Sequence, residues 1–308
     1  MISFKHNGAL IAWFGVILLA PDALLIRITE LEGMKLLYWR GLLMGATLLM
    51  LWLMFSYRRL RQDIQVALSP VGLLQIAVFT VDAIAFAIGI TMTSAVVMLT
   101  ALATMPIFTV LFSIPMLGER PSFRTWLTVL FCMLGITIVV TSGHEAVGAP
   151  TGSPVIGGLL GIFTAAGLGF AMVLKRQNPE LPTMLSTGTA NLITVAVAWL
   201  LLAMVVPAFP MEPNKALALL TMGILVLPMA FFALMVAPRY TSATTVGLIM
   251  LMESILGPLW VWLGTGERPS ALMVAGSIIV IGSLAFYFLY ADAGGKGAAA
   301  HSKSGAEA

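Results

Sequence analysis

Gly118-Glu119-Arg120-Pro121-Ser122 returns as Gly266-Glu267-Arg268-Pro269-Ser270, and Thr93-Ser94-Ala95 returns as Thr241-Ser242-Ala243. Both pairs are offset by 148 positions, with no gap between them. Two short coincidences at one spacing are far rarer than either alone, so the chain reads as a duplication. The halves also agree more weakly one residue further on, where Gly8 falls on Gly157 and Arg27 on Arg176. The repeated pentapeptide is helix punctuation in its own right. Gly ends one helix in a left-handed cap, Pro suits the first turn of the next, and Glu with Arg faces the headgroups.

Composition says what kind of unit is duplicated. Of 308 residues, 60% are hydrophobic and 9% are Asp, Glu, Lys or Arg. A soluble domain carries about 25% charged residues, so this chain lacks the polar surface a soluble globule needs. The mean hydropathy of +1.02 agrees. A membrane-crossing helix takes about 20 apolar residues, so roughly ten would use two-thirds of the chain and leave only short loops. Hydropathy and breakers place them near 8–28, 35–56, 71–91, 94–117, 124–141, 155–174, 183–206, 215–236, 242–263 and 270–290. The first resembles a signal peptide, but Pro21 and Asp22 fall where cleavage would, and hydrophobicity continues to Ile28. The expected fold class is therefore an all-α integral membrane protein of ten helices. Its units are 1–147 and 148–291, with a disordered tail at 292–308. Five spans per half is an odd number, so the second half enters from the opposite side. Such inverted repeats are an architecture of secondary transporters, with the substrate held near mid-membrane where the halves meet.

The minor residues narrow the chemistry. Cys132 is the sole cysteine and lies in an apolar stretch, which reads as a spectator thiol. His6, His144 and His301 have no metal-ligand spacing. The net charge of +3 does not point to nucleic acid, because the basic residues flank apolar spans. Lys5, Arg58, Arg59, Arg61, Arg120, Arg124, Lys175, Arg176, Arg239, Lys296 and Lys303 share one side. Arg27, Lys35, Lys215 and Arg268 share the other. The richer side is expected to face the cytoplasm, with both termini there and the protein in the cytoplasmic membrane.

Thr91-Met92-Thr93-Ser94-Ala95, Pro106 in the fourth span, Leu117-Gly118-Glu119 and a fifth span containing Gly135 together resemble the EamA domain of the drug/metabolite transporter superfamily. Arg239-Tyr240-Thr241-Ser242-Ala243, Leu251-Met252-Glu253 and Gly257-Pro258-Leu259-Trp260 through Gly266-Glu267 resemble a second EamA domain. Tyr38-Trp39-Arg40 matches the family's Arg near the start of the second helix. The resemblance implies a ten-helix carrier of small metabolites, often an exporter, without naming the substrate.

Four ionisable residues sit inside the expected spans: Asp22, Arg40, Asp82 and Glu253. A charge at a helix centre costs about 2.5–3.5 kcal/mol on insertion scales and usually faces a cavity or a partner. The duplication tests whether the scaffold needs them. Asp82 corresponds to Ala230 and Glu253 to Met105, while Asp22 corresponds to Ala171 and Arg40 to Thr189. No charge is duplicated although the loop strings are, which favours a site over a scaffold role. For Arg40, a structural bridge to an acid is an equal reading. Gln75 and Trp260 lie seven residues from Asp82 and Glu253 and share their helix faces. Asn191 lies within the seventh span, where an interhelical hydrogen bond is the plainer reading. Pro106, Pro228 and Pro258 fall inside spans and free backbone carbonyls, so Pro106 and Pro258 are candidate hinges. Gly41 and Gly45, like Gly157 and Gly161, are spaced for close helix packing.

These readings lead to a secondary active transporter of a small metabolite or drug-like solute. It is expected to work by alternating access as an exporter, with protons as the coupling ion and Glu253 as the central carboxylate. No Gly-x-x-x-x-Gly-Lys-Ser/Thr string occurs, and neither a cofactor nor an enzymatic activity is implied. The expected partners are the solute, the bilayer, protons and a second copy as a homodimer. A lipid-modifying membrane enzyme and a channel or uniporter remain as alternatives.

Overall fold

The computed structural model describes residues 3–31, 33–92, 101–119, 121–141, 154–210, 212–265 and, apart from 273, 277 and 284, 271–287. Every regular element among the described residues is helical. These are α1 (Ser3–Leu19), α2 (Asp22–Thr29), α3 (Gly33–Phe55), α4 (Leu60–Ala67), α5 (Pro70–Met92), α6 (Met105–Leu117) and α7 (Phe123–Thr141). They continue as α8 (Pro154–Gln177), α9 (Thr183–Leu201), α10 (Pro213–Leu220), a π-helical turn Thr221–Val226 and α11 (Leu227–Val236). A 3₁₀ turn, Ala237–Arg239, then leads to α12 (Ala243–Met250) and α13 (Glu253–Thr265). A further apolar helix, α14 (Val274–Tyr287), follows.

Among the described residues, apolar helical segments overlap the expected ranges, though not all as single long spans. Six are long and apolar enough to cross a membrane, or seven if α4 and α5, bent by 72°, count as one. Met105–Leu117, Phe123–Gly135 and Val274–Tyr287 are shorter. Two spans expected as single helices are interrupted: the first between α1 and α2, the ninth between α12 and α13. The fourth is interrupted as well, at Ala103 and Thr104.

The duplication is visible in the elements themselves. α6 and α13 begin and end 148 positions apart, and so do the breaks before them, Ala103-Thr104 and Leu251-Met252. At the first copy of the pentapeptide, Gly118 takes a left-handed conformation (φ 64°) that stops α6. Ser122, not Pro121, then starts α7 by accepting the Thr125 amide at 3.3 Å. Ser242 caps α12 likewise, accepting from the Thr245 amide at 2.9 Å. The second pentapeptide and Thr93-Ser94-Ala95 lie outside the described residues.

The halves pack by interleaving. α3 lies along α9, α5 and α6 lie along α8, and α1 lies along α11. Small residues set these approaches. A Cβ built on Gly45 would come within 3.1 Å of the Gly188 carbonyl oxygen, and one on Gly41 within 3.0 Å of Val195. Gly223 of the π turn presses on Leu43 of α3. Leu48, Met172, Leu219, Met222, Leu227, Leu234 and Leu248 fill the fully buried core, and Cys132 is buried with them.

Gly8 tests this packing against backbone. Its missing Cβ would lie 2.7 Å from the Tyr240 carbonyl carbon and 2.8 Å from the Thr241 amide nitrogen, backbone atoms that cannot rotate away. Gly8→Ala is expected to destabilise the protein by about 1–3 kcal/mol through overpacking. Thermal unfolding in detergent checks this, and an unchanged midpoint would mean that α1 is free to shift.

Candidate functional site

Each interrupted span that carries a mid-membrane acid is broken immediately before it. α1 ends at Leu19, and Pro21 cannot donate the backbone bond that would continue the helix. α2 then begins at Asp22. The position of Pro21 in the second half is occupied by Phe170, and α8 runs unbroken through it. In the ninth span the amides of Leu251 and Met252 reach back three residues, to Leu248 (3.2 Å) and Ile249 (3.0 Å). This tightened turn ends α12, and α13 begins at Glu253. Two carboxylates thus stand at the N-termini of helical segments, where the backbone dipole favours negative charge by about 0.3–1 kcal/mol each.

Arg40 of α3 brings them into one constellation. Its Nη2 lies 2.9 Å from Oδ2 of Asp22, and the charges of both Asp22 and Arg40 act on Glu253. Asp22 is buried, Arg40 keeps about a fifth of its side-chain surface (22%), and Glu253 is half-buried. Oδ1 of Asp22 is buried with no hydrogen-bond partner. Arg40 can neutralise only one of the two acids, so the ionised constellation has one carboxylate in excess. α2 and α13 also close on each other where Gly264 meets Leu24. Beside Arg40, Trp39 donates Nε1–H to the Pro207 carbonyl (3.1 Å) and meets Tyr38 and Phe209 edge-to-face at 5.3 and 5.1 Å.

Asp82 stands apart from this group. It lies on α5 against Gly167 of α8, buried, with Oδ1 unpartnered. Gln75 is fully buried, and neither amide atom finds a partner. Thr164 on α8 and Ser186 and Thr187 on α9 also bury unpartnered hydroxyls. Asn191 donates to the Thr187 carbonyl of its own helix (2.9 Å) and packs on Gly45, a contact between α3 and α9. Trp260 is 40% exposed. Pro106 is the second residue of α6, where its missing N–H costs nothing. Pro258 lies inside α13, which runs through it without a break.

Residues 6–141 match the model of the EamA-like transporter family. This stretch, in the first half of the chain, is similar to an EamA domain. A solved crystal structure, titled only "Crystal structure of protein", superposes with a TM-score of 0.74 over 91% of this chain and 97% of its own. Its sequence is 18% identical, which speaks to the shared fold alone. No curated protein matches the chain. Six helices long and apolar enough to cross a membrane, together with this match, support a multi-pass membrane protein.

Asp22, Arg40, Gln75 and Asp82 fall within the matched residues, whereas Glu253 lies outside them. The cluster around Leu181 escaped the sequence reading. Its carbonyl accepts from the buried Lys175 ammonium and, at 2.8 Å, from Arg239. Arg176 binds the Thr241 carbonyl and pairs with Glu119 at 3.0 Å. Charge counting had treated these cations only as topology signals. The one local clue is Lys175-Arg176 in the last turn of α8, where cations suit the helix dipole.

Proposed function

We propose that this protein is a secondary transporter that moves a small solute by alternating access between two inverted five-helix halves. The observation that carries this reading is the pair of interrupted spans, each placing an acid at a fresh helix N-terminus, with Arg40 paired to the first of them. Discontinuous helices whose half-helix ends address a ligand near mid-membrane are the device of many carriers. Arg40 and Asp22 form a nearly neutral pair, which leaves Glu253 as the group that exchanges a proton or holds a cationic part of the solute. Orientation follows the positive-inside pattern, with the α4 side and both termini in the cytoplasm, and transport runs outward.

Comparing internal and external metabolite pools in cells overproducing the protein identifies the solute. The purified protein in liposomes loaded with that solute should then accelerate uptake of its labelled form, the counterflow expected of a carrier. Single-channel currents without counterflow would establish a pore instead. Chemical conversion of the solute or of lipid would establish an enzyme.

A further inference from the structure

The turn between α3 and α4 and the first turn of α4 hold three arginines and one acid: Arg58, Arg59 and Arg61 against Asp63. The acid is withdrawn, since its Oδ2 accepts the Nε1–H of buried Trp52 at 2.8 Å. None of the three exposed arginines forms an ion pair among the described residues. Arg58 is instead propped on Tyr57: its Nε donates to the phenol oxygen at 2.7 Å, and its guanidinium lies 5.3 Å from the ring centre. Tyr57, Arg58, Arg59, Leu60, Arg61 and Gln62 surround an open hollow of about 450 Å³.

Two features fix what this hollow faces. α4 turns 72° from α5, so with α5 crossing the membrane α4 lies close to the plane of its surface. The helix ends that flank it in sequence also expose apolar side chains: Met54 (60% exposed) and Phe55 (72%) at the end of α3, and Leu68 (62%) just after α4. Arginine forks match phosphate oxygens in bidentate pairs. A ligand that satisfies both the cations and these exposed apolar side chains carries a phosphate and acyl chains together.

We propose that Arg58, Arg59 and Arg61, with Tyr57, bind the phosphate headgroup of an anionic phospholipid of the inner leaflet. This rests on the membrane-spanning reading but not on transport, so it stands or falls independently of the solute. A basic side chain near an anionic lipid surface strengthens association by roughly fivefold.

The test is lipid binding to the full-length, delipidated protein in neutral detergent, followed by native mass spectrometry and by intrinsic tryptophan fluorescence. Short-chain phosphatidylglycerol, phosphatidylcholine and inorganic phosphate are the probes. Wild type should retain phosphatidylglycerol, bind phosphatidylcholine weakly and be indifferent to phosphate. Replacing all three arginines with glutamine should weaken phosphatidylglycerol binding by about a hundredfold. A triple lysine variant, which keeps the charge if the glutamine variant fails to fold, should bind with intermediate strength and lose affinity more steeply with salt. Equal binding of both lipids by wild type, unaltered phosphatidylglycerol binding by the glutamine variant, or displacement by phosphate alone would overturn the proposal.

Discussion

Glu253→Gln is expected to abolish acceleration of solute flux by a pH gradient, a loss of at least about tenfold in initial rate, or ~1.4 kcal/mol. The substitution keeps the side chain's size and hydrogen-bonding oxygen but removes its titration. Glu253 stands at the first turn of α13 and feels both Asp22 and Arg40, so adding or removing its proton changes the balance of the whole constellation. Solute–solute counterflow in the same liposomes should persist, because it moves no net proton. If the variant keeps wild-type gradient dependence, the coupling proton binds elsewhere, and the buried, unpartnered Asp82 becomes the group to replace next.

The second large effect concerns the ion pair. Removing one member of a buried pair strands the other, at about 3–5 kcal/mol, whereas removing both is often nearly neutral. Asp22 is buried while Arg40 keeps partial access to solvent, so the two single losses are unequal. Arg40→Gln should destabilise the protein by about 3 kcal/mol and Asp22→Asn by less, with the double variant recovering most of the difference. A thermal-unfolding cycle in detergent measures the coupling. Additive losses would mean that the 2.9 Å contact contributes little, and that Arg40 is held for the solute alone.

Much of this arrangement was legible in the chain. The 148-position repeat anticipated that α6 and α13 would share their bounds, because a duplicated sequence keeps its helix stops. The absence of charge at the equivalent positions singled out Asp22, Arg40 and Glu253 one by one. Their gathering around Arg40, and the separation of Asp82 behind Gly167, are tertiary facts that no local pattern encodes. The helix breaks were half legible. Pro21 advertises the first, but Leu251-Met252 contains good helix formers, and only the packing of α12 and α13 overrides their propensity. Of the sequence's two candidate hinges, Pro106 opens α6 and Pro258 sits inside an intact helix.

The π turn at Thr221–Val226 has a consequence for how this protein tolerates changes in its length. Deleting one residue from an α-helix swings every later side chain by about 100° and turns a buried face outward. A π turn already winds one residue more than the α-helix needs. A single deletion within Thr221–Val226 is therefore absorbed by rewinding, and Leu227, Ala230 and Leu234 keep their places in the core. Among the described residues, the eighth span offers lineages of this sequence a point at which a codon can be lost without re-facing a helix.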